Sequence, residues 1–164
     1  MLNKFMSFLV LFIFCGPFSA LAAVDFSKLK PNIFYGIYIN GAKIGYSEVN
    51  LKVTEINQRE VLIFTDIGYL EVMSDDDIMA TEYSYEYKFD LLDRQMFDYS
   101  EVYTEFVYKN KDDLIKKNPA EVSVYSLKAE YRGNSNYKVN EFEGGSNKEK
   151  IVSLPLLSAD DYFA

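Results

Sequence analysis

Histidine and tryptophan are absent from this 164-residue chain, and cysteine occurs once, at Cys15. Without histidine there is no imidazole to serve as a base near neutral pH or to bind a metal through nitrogen. A single cysteine forms no internal disulfide and cannot build a thiolate metal site. Four prolines and eight glycines are too few for a collagen-like chain or a Pro/Gly-rich disordered one. Positive charge is also in deficit: 17 Lys and Arg stand against 25 Asp and Glu, for a net charge of −8. Such a chain repels a nucleic-acid backbone or an anionic lipid surface unless a basic patch overrides the average. Lys109, Lys111, Lys116 and Lys117 come nearest to a patch, but Asp112 and Asp113 interrupt them and a solvated loop explains them. Nucleic acid is therefore not an expected partner. The phosphate-binding patterns and the G-x-S-x-G nucleophile pattern are missing too, so no cofactor is expected.

What is present is apolar and aromatic. Hydrophobic residues make up 49% of the chain, with 14 Tyr and 13 Phe, which is too apolar for disorder and suits strands that pack aromatic faces. Lys4, an unbroken apolar and small run from Phe5 to Cys15, helix-breaking Gly16 and Pro17, and Ala20-Leu21-Ala22 read as a secretory signal peptide over residues 1–22. The apolar run is too short to span a bilayer, so no membrane span is expected after its removal. A lipoprotein reading of Cys15 fails because Phe14 stands where a small residue is needed. The expected location is the periplasm or the extracellular space, and the mature chain carries no thiol.

Residues 23–157 make up the expected β-sheet domain, and from Ile33 onward they alternate apolar and polar positions, the period of antiparallel strands. Ile33, Tyr35, Ile37 and Ile39, then Asn40-Gly41, then Ala42, Ile44 and Tyr46 predict a hairpin on a type I′ turn, where both central residues take positive φ. The apolar phase then shifts to Val49, Leu51 and Val53, which predicts a bulge near Gly45 to Glu48. Further strands are expected over about 61–73, apolar on both faces, then 78–90, 96–108, 122–131, 137–142 and 150–154. A charged loop with at most one helical turn is expected over 110–119. The predicted fold is all-β: a curved, mostly antiparallel meander of seven or eight strands, half-barrel or open-barrel-like. Ser158 followed by Asp160 and Asp161 reads as the start of a helix over 158–164. A helix start with no body suggests that the chain is a fragment of a longer one.

The strand over 78–90 places Tyr83, Tyr85, Tyr87 and Phe89 on one face and Glu82, Ser84, Glu86 and Lys88 on the other. Such an aromatic stripe lines an apolar ligand groove or forms core; in the first case these four are the ligand-binding residues. Glu82 with Glu86 and Glu101 with Glu105 are same-face acid pairs, but four residues along a strand separate them by about 13 Å. Glycoside hydrolysis needs roughly 5 to 9.5 Å. Asp75, Asp76 and Asp77 lack the spacing of a calcium loop and read as a solvated turn, so no metal site and no catalytic residue is expected.

The stretch Phe34 to Val53, FYGIYINGAKIGYSEVNLKV, resembles the opening hairpin of the β-rich region that precedes the catalytic domain in bacterial exported transglutaminase-like proteins. Tyr35, Gly36, Ile37, Tyr38, Asn40, Gly41, Lys43, Ile44, Gly45 and Tyr46 carry the resemblance. The later run Val122 to Leu154, with Gly144 and Gly145, and the run Asp160 to Ala164 look like the end of that region and the start of its linking helix. In that family activity comes from a Cys, His, Asp triad in the downstream domain, none of which can be placed here. The resemblance implies a non-catalytic scaffold or docking module whose partner is a downstream catalytic domain or an envelope protein. A similar hairpin opens curved-sheet periplasmic proteins that resemble lipoprotein carriers, so the alternative is a stand-alone carrier of a lipid or other apolar ligand.

Overall fold

The computed structural model describes residues 32–73 and 77–154. The signal peptide, the helix start over 158–164 and most of the Asp75-Asp76-Asp77 turn lie outside the described residues. Eight antiparallel strands follow one another in a single open sheet, in chain order. They are β1 (Asn32–Ile39), β2 (Ala42–Ile56), β3 (Arg59–Met73), β4 (Ile78–Asp90), β5 (Met96–Tyr108), β6 (Glu121–Gly133), β7 (Asn136–Glu143) and β8 (Ser146–Ser153). One short helix, α1 (Lys111–Ile115), interrupts the meander between β5 and β6. The all-β meander expected from the sequence is the observed fold.

Turn chemistry sets this register. Asn40-Gly41, Asn57-Gln58, Asn134-Ser135 and Gly144-Gly145 all have positive φ at both positions, as two-residue type I′ turns require. Their twist matches that of the flanking strands, so each hairpin closes without splaying. Asn110 caps α1 by accepting the Asp113 amide at 2.9 Å.

The extra residue of the first hairpin is Ile44, one position before the stretch expected from the phase change. Ile37 pairs with Gly45 and Tyr38 with Lys43, while the β2–β3 ladder runs unshifted from Gly45. No slip reconciles Tyr46 with Val49: Tyr46 lies on the opposite face, half exposed, and stacks on Tyr69. Two further bulges leave Phe97 and Arg132 unpaired. Each bulge adds local twist, which an open sheet uses to curl.

Register divides the sheet into two faces. One carries Leu51, Leu62, Phe64, Tyr83, Tyr85, Tyr87, Phe89, Tyr99, Tyr103, Ala129, Tyr137 and Val139. Its core is Leu62, Phe89, Met96, Ala129, Tyr137 and Val139, with Phe89 and Tyr137 at 0% exposure. Two side chains reach across a whole strand on this face. Tyr137 on β7 donates to the Met96 carbonyl on β5 at 3.0 Å, and Tyr83 on β4 hydrogen-bonds Ser47 on β2. Strands two apart lie roughly 9 to 10 Å from one another, so these contacts draw the sheet toward this inner face. Gly68 on β3 makes the second crossing possible, because a Cβ there would stand 2.3 Å from the Tyr83 ring.

The other, outer face is wetter. At one end Ile78, Ala80 and Tyr108 form a small second core, closed by Tyr69, Phe106 and Leu114 of α1. Elsewhere it carries ion pairs such as Lys88 with Glu86 at 3.0 Å and with Asp98 at 3.2 Å. The third strand is apolar on both sides but not buried on both throughout. Val61 and Leu62 are 1% exposed, whereas Ile67 and Met73 on the outer face are about half exposed. With one sheet and no second layer over it among the described residues, the outer side of β3 is covered at Val61 but open at Ile67 and Met73.

Candidate functional site

On β4 the side chains alternate as expected, and Tyr83, Tyr85, Tyr87 and Phe89 share the inner face. Tyr83, Tyr85 and Phe89 are buried and Tyr87 is partly buried. Their rings are packed by one another and by neighbouring strands. Tyr85 meets Tyr103 edge-on at 5.5 Å, Tyr87 lies 4.7 Å from Tyr99, and Phe64 meets Tyr87 at 5.4 Å. The space above the stripe is thus occupied by the protein's own rings.

The register also assembles a row that single-strand patterns conceal. Asp66 on β3 pairs with Tyr85, Tyr85 with Glu101 on β5, Glu101 with Leu127 on β6, and Leu127 with Glu141 on β7. Three carboxylates therefore cross the inner face in line, with a tyrosine and a leucine between them. Burial raises the Asp66 carboxyl, against a hydrogen bond from Ser47 at 2.5 Å. Burial likewise raises Glu101, opposed by hydroxyls of Tyr99 and Tyr125 and assisted by the charge of Glu141.

The tyrosines shift in the same direction. Burial first, and then Glu101, pushes Tyr103 up to about 12, although the Tyr85 hydroxyl contact opposes the rise. Tyr83, Tyr85, Tyr99 and Tyr125 are all raised, each chiefly by burial. Each phenol keeps its proton; Tyr99 and Tyr125 donate to Glu101, and one hydroxyl of the Tyr85–Tyr103 pair donates to the other. This network satisfies the carboxylates that the face encloses, and no buried side-chain polar atom among the described residues lacks a partner.

As an acid–base site the row is blocked by its own geometry. Asp66 and Glu101 stand two strands apart, roughly 9 to 10 Å, as do Glu101 and Glu141. That separation is at or beyond the wide limit for glycoside hydrolysis, and Tyr85 and Leu127 fill the gaps where a substrate would sit. Glu105 shares this face two positions from Tyr103, while Glu82 and Glu86 project outward. Asp77 pairs with Lys109 at 2.9 Å. No cluster of three metal-ligating side chains occurs among the described residues.

These shifts predict a pH response. A carboxyl whose folded pKa is raised stabilises fully below its unfolded pKa and loses that stability as pH rises through the folded value. Glu101→Gln removes one such group, so its stability should fall less than wild type as pH rises above the ordinary glutamate value of about 4.5, read from urea midpoints at each pH. Tyrosines behave with the same sign at the alkaline end. Tyr69 and Tyr103, both pushed up to about 12, should make unfolding and tyrosinate absorbance rise together above about pH 10.

Shallow concavities also occur on the outer face. Two shallow grooves of about 240 and 260 Å³ sit side by side and share Val102 as the ridge between them. One is floored by Ser84 and Thr104 and walled by Tyr46, Ile67 and Tyr69. The other is floored by Ser100 and Ser126 and walled by Phe142. Small hydroxyl residues on three adjacent central strands produce this trough, flanked by apolar side chains that are exposed or partly so: Ile67 at 49%, Tyr46 at 52% and Val102 at 42%. The sequence signal was present in Ser84, Ser100 and Ser126, but only strand register brings them together.

Comparison with family models, curated proteins and solved structures returned no match. No helix among the described residues is long and apolar enough to cross a membrane.

Proposed function

We propose that this chain is a non-catalytic, exported β-domain that docks a protein partner on its outer trough. The observation that carries the reading is the contrast between the faces. The inner face is filled by its own aromatic rings and satisfied acids, while the outer face offers an unfilled trough with apolar walls and a hydroxyl floor. Each groove is smaller than the roughly 300 to 1,000 Å³ of a small-molecule pocket, and both are open, as suits a partner's surface more than an enclosed ligand. The resemblance of the Phe34 to Val53 hairpin to the front region of transglutaminase-like proteins makes a catalytic domain the favoured kind of partner; an envelope protein is the other.

A photo-cross-linking side chain at Ser126 tests this in the producing cell. One defined protein adduct is expected, lost when Val102→Arg places a charge on the ridge, with no adduct from a probe at Glu143. Absence of a Val102-dependent adduct would contradict docking on this face. The second reading, an apolar-ligand carrier, draws its support from Phe64, Tyr87 and Tyr99, which are only partly buried. In it Tyr83, Tyr85, Tyr87 and Phe89 line the ligand site once the rings part.

A further inference from the structure

The two edges of the open sheet differ in kind. β8 carries Lys148, Glu149 and Lys150 over eight residues, and charge of this sort blunts an exposed edge against pairing. β1, NIFYGIYI, is equally long and carries none. Phe34 is 70% exposed, Tyr38 60%, Ile39 51% and Tyr35 45%, and among the described residues β1 pairs only with β2. Because Ile39 and Ala42 flank a two-residue turn, they form a hydrogen-bonded pair. Alternation then turns the main-chain groups of Asn32, Phe34, Gly36 and Tyr38 outward, with no strand partner among the described residues.

We propose that β1 pairs antiparallel with β1 of a second copy of this chain, about a two-fold axis at Gly36, to give one continuous sheet through a symmetric dimer. Paired residues must lie on the same face, which limits the axis to a residue position. At Gly36 the match is complete along the strand. Phe34 faces the second copy's Tyr38, Tyr35 faces its Ile37, and Ile33 faces its Ile39. Aromatic and β-branched pairs of this kind are the favoured cross-strand neighbours. The outward residues fall on hydrogen-bonded positions, giving about six main-chain bonds. Gly36 suits the axis because its own Tyr38 ring already lies where a Cβ would stand, 2.7 Å away.

Charge selects a second copy for this edge. Two chains of net charge −8 repel over most of their surfaces, and β1 is the eight-residue edge on which both copies are neutral. A single strand pair is a small interface, so the dimer should form in the micromolar range and dissociate on dilution. This interface lies at the sheet edge, and its outcome is separate from that of docking at the trough.

Sedimentation velocity over roughly 1 to 500 µM should move the full chain from monomer to dimer. Phe34→Lys, at an exposed position, should raise the dissociation constant at least about tenfold with an unchanged circular dichroism spectrum. Should that variant not fold, cysteine pairs read the register directly. In a Cys15→Ser background, Phe34→Cys with Tyr38→Cys should give a covalent dimer on oxidation, since facing hydrogen-bonded residues stand about 5.5 Å apart. Either cysteine alone should not, because it faces the other position. A monomer at every concentration, a dimer indifferent to Phe34→Lys, or single cysteines that cross-link as readily as the pair would each overturn the proposal.

Discussion

Phe89→Ala is expected to cost about 3 to 5 kcal/mol, a large share of the 5 to 15 kcal/mol that holds a typical domain folded. Phe89 is wholly buried at the centre of the inner core, opposite Leu62, with Met96 on its other side and Tyr87 stacked at 6.3 Å. The loss combines the transfer of the ring out of an apolar site with the cavity left behind. Collapse around that cavity is limited, because the backbone beside it is fixed by the bulge at Phe97 and by the Tyr137 hydroxyl on the Met96 carbonyl. Urea unfolding should show a lower midpoint with an unchanged slope. A loss under about 1 kcal/mol would mean that the inner face is loosely packed.

Tyr85→Glu should be as severe at neutral pH, costing about 4 kcal/mol or more. Tyr85 is 8% exposed and lies between Asp66 and Glu101, which burial already holds toward their protonated forms. A glutamate there puts a third charge between two unfavourable ones and removes the hydroxyl that contacts Tyr103. The same variant should recover part of its stability on acidification, since protonation removes the charge at all three sites. Tyr85→Phe separates the two contributions, losing the hydroxyl contact alone. A Tyr85→Glu protein as stable as wild type at pH 7 would show that the stripe faces solvent.

Much of the fold was legible in the sequence because local chemistry and tertiary packing agree along most of the chain. Asn40-Gly41 marks a turn that only residues tolerant of positive φ can make, and the alternation over 78–90 survives intact in β4. Strand ends were less legible where polar residues continue a strand. The last strand is expected only from Lys150, after a turn through Asn147, yet Ser146 to Glu149 form the first half of an edge strand in which Glu149 and Lys150 join hairpin ion pairs, with Lys138 at 2.9 Å and Glu141 at 3.2 Å. Phase was misleading at Tyr46, where an exposed aromatic imitates a buried one.

The faces themselves required register. Asp66 stands in phase with Leu62 and Phe64, a sign of a carboxylate set into a core face, but its neighbours Tyr85 and Ser47 come from other strands. The outer trough likewise draws Ser84, Ser100 and Ser126 from three strands, and periodicity within any one of them gives no hint of it. The stripe Tyr83, Tyr85, Tyr87 and Phe89 was placed on its face by the sequence alone; that three of the four are buried under neighbouring rings emerges only from the folded sheet.

Native mass spectrometry of the protein purified from its producing cell, without delipidation, tests most directly whether the inner face is a filled core and binding belongs to the outer surface. The account predicts the mass of the polypeptide alone or of its dimer, with no stoichiometric apolar adduct. A retained lipid-sized ligand that Tyr87→Ala releases would contradict it and make the tyrosine face a ligand site.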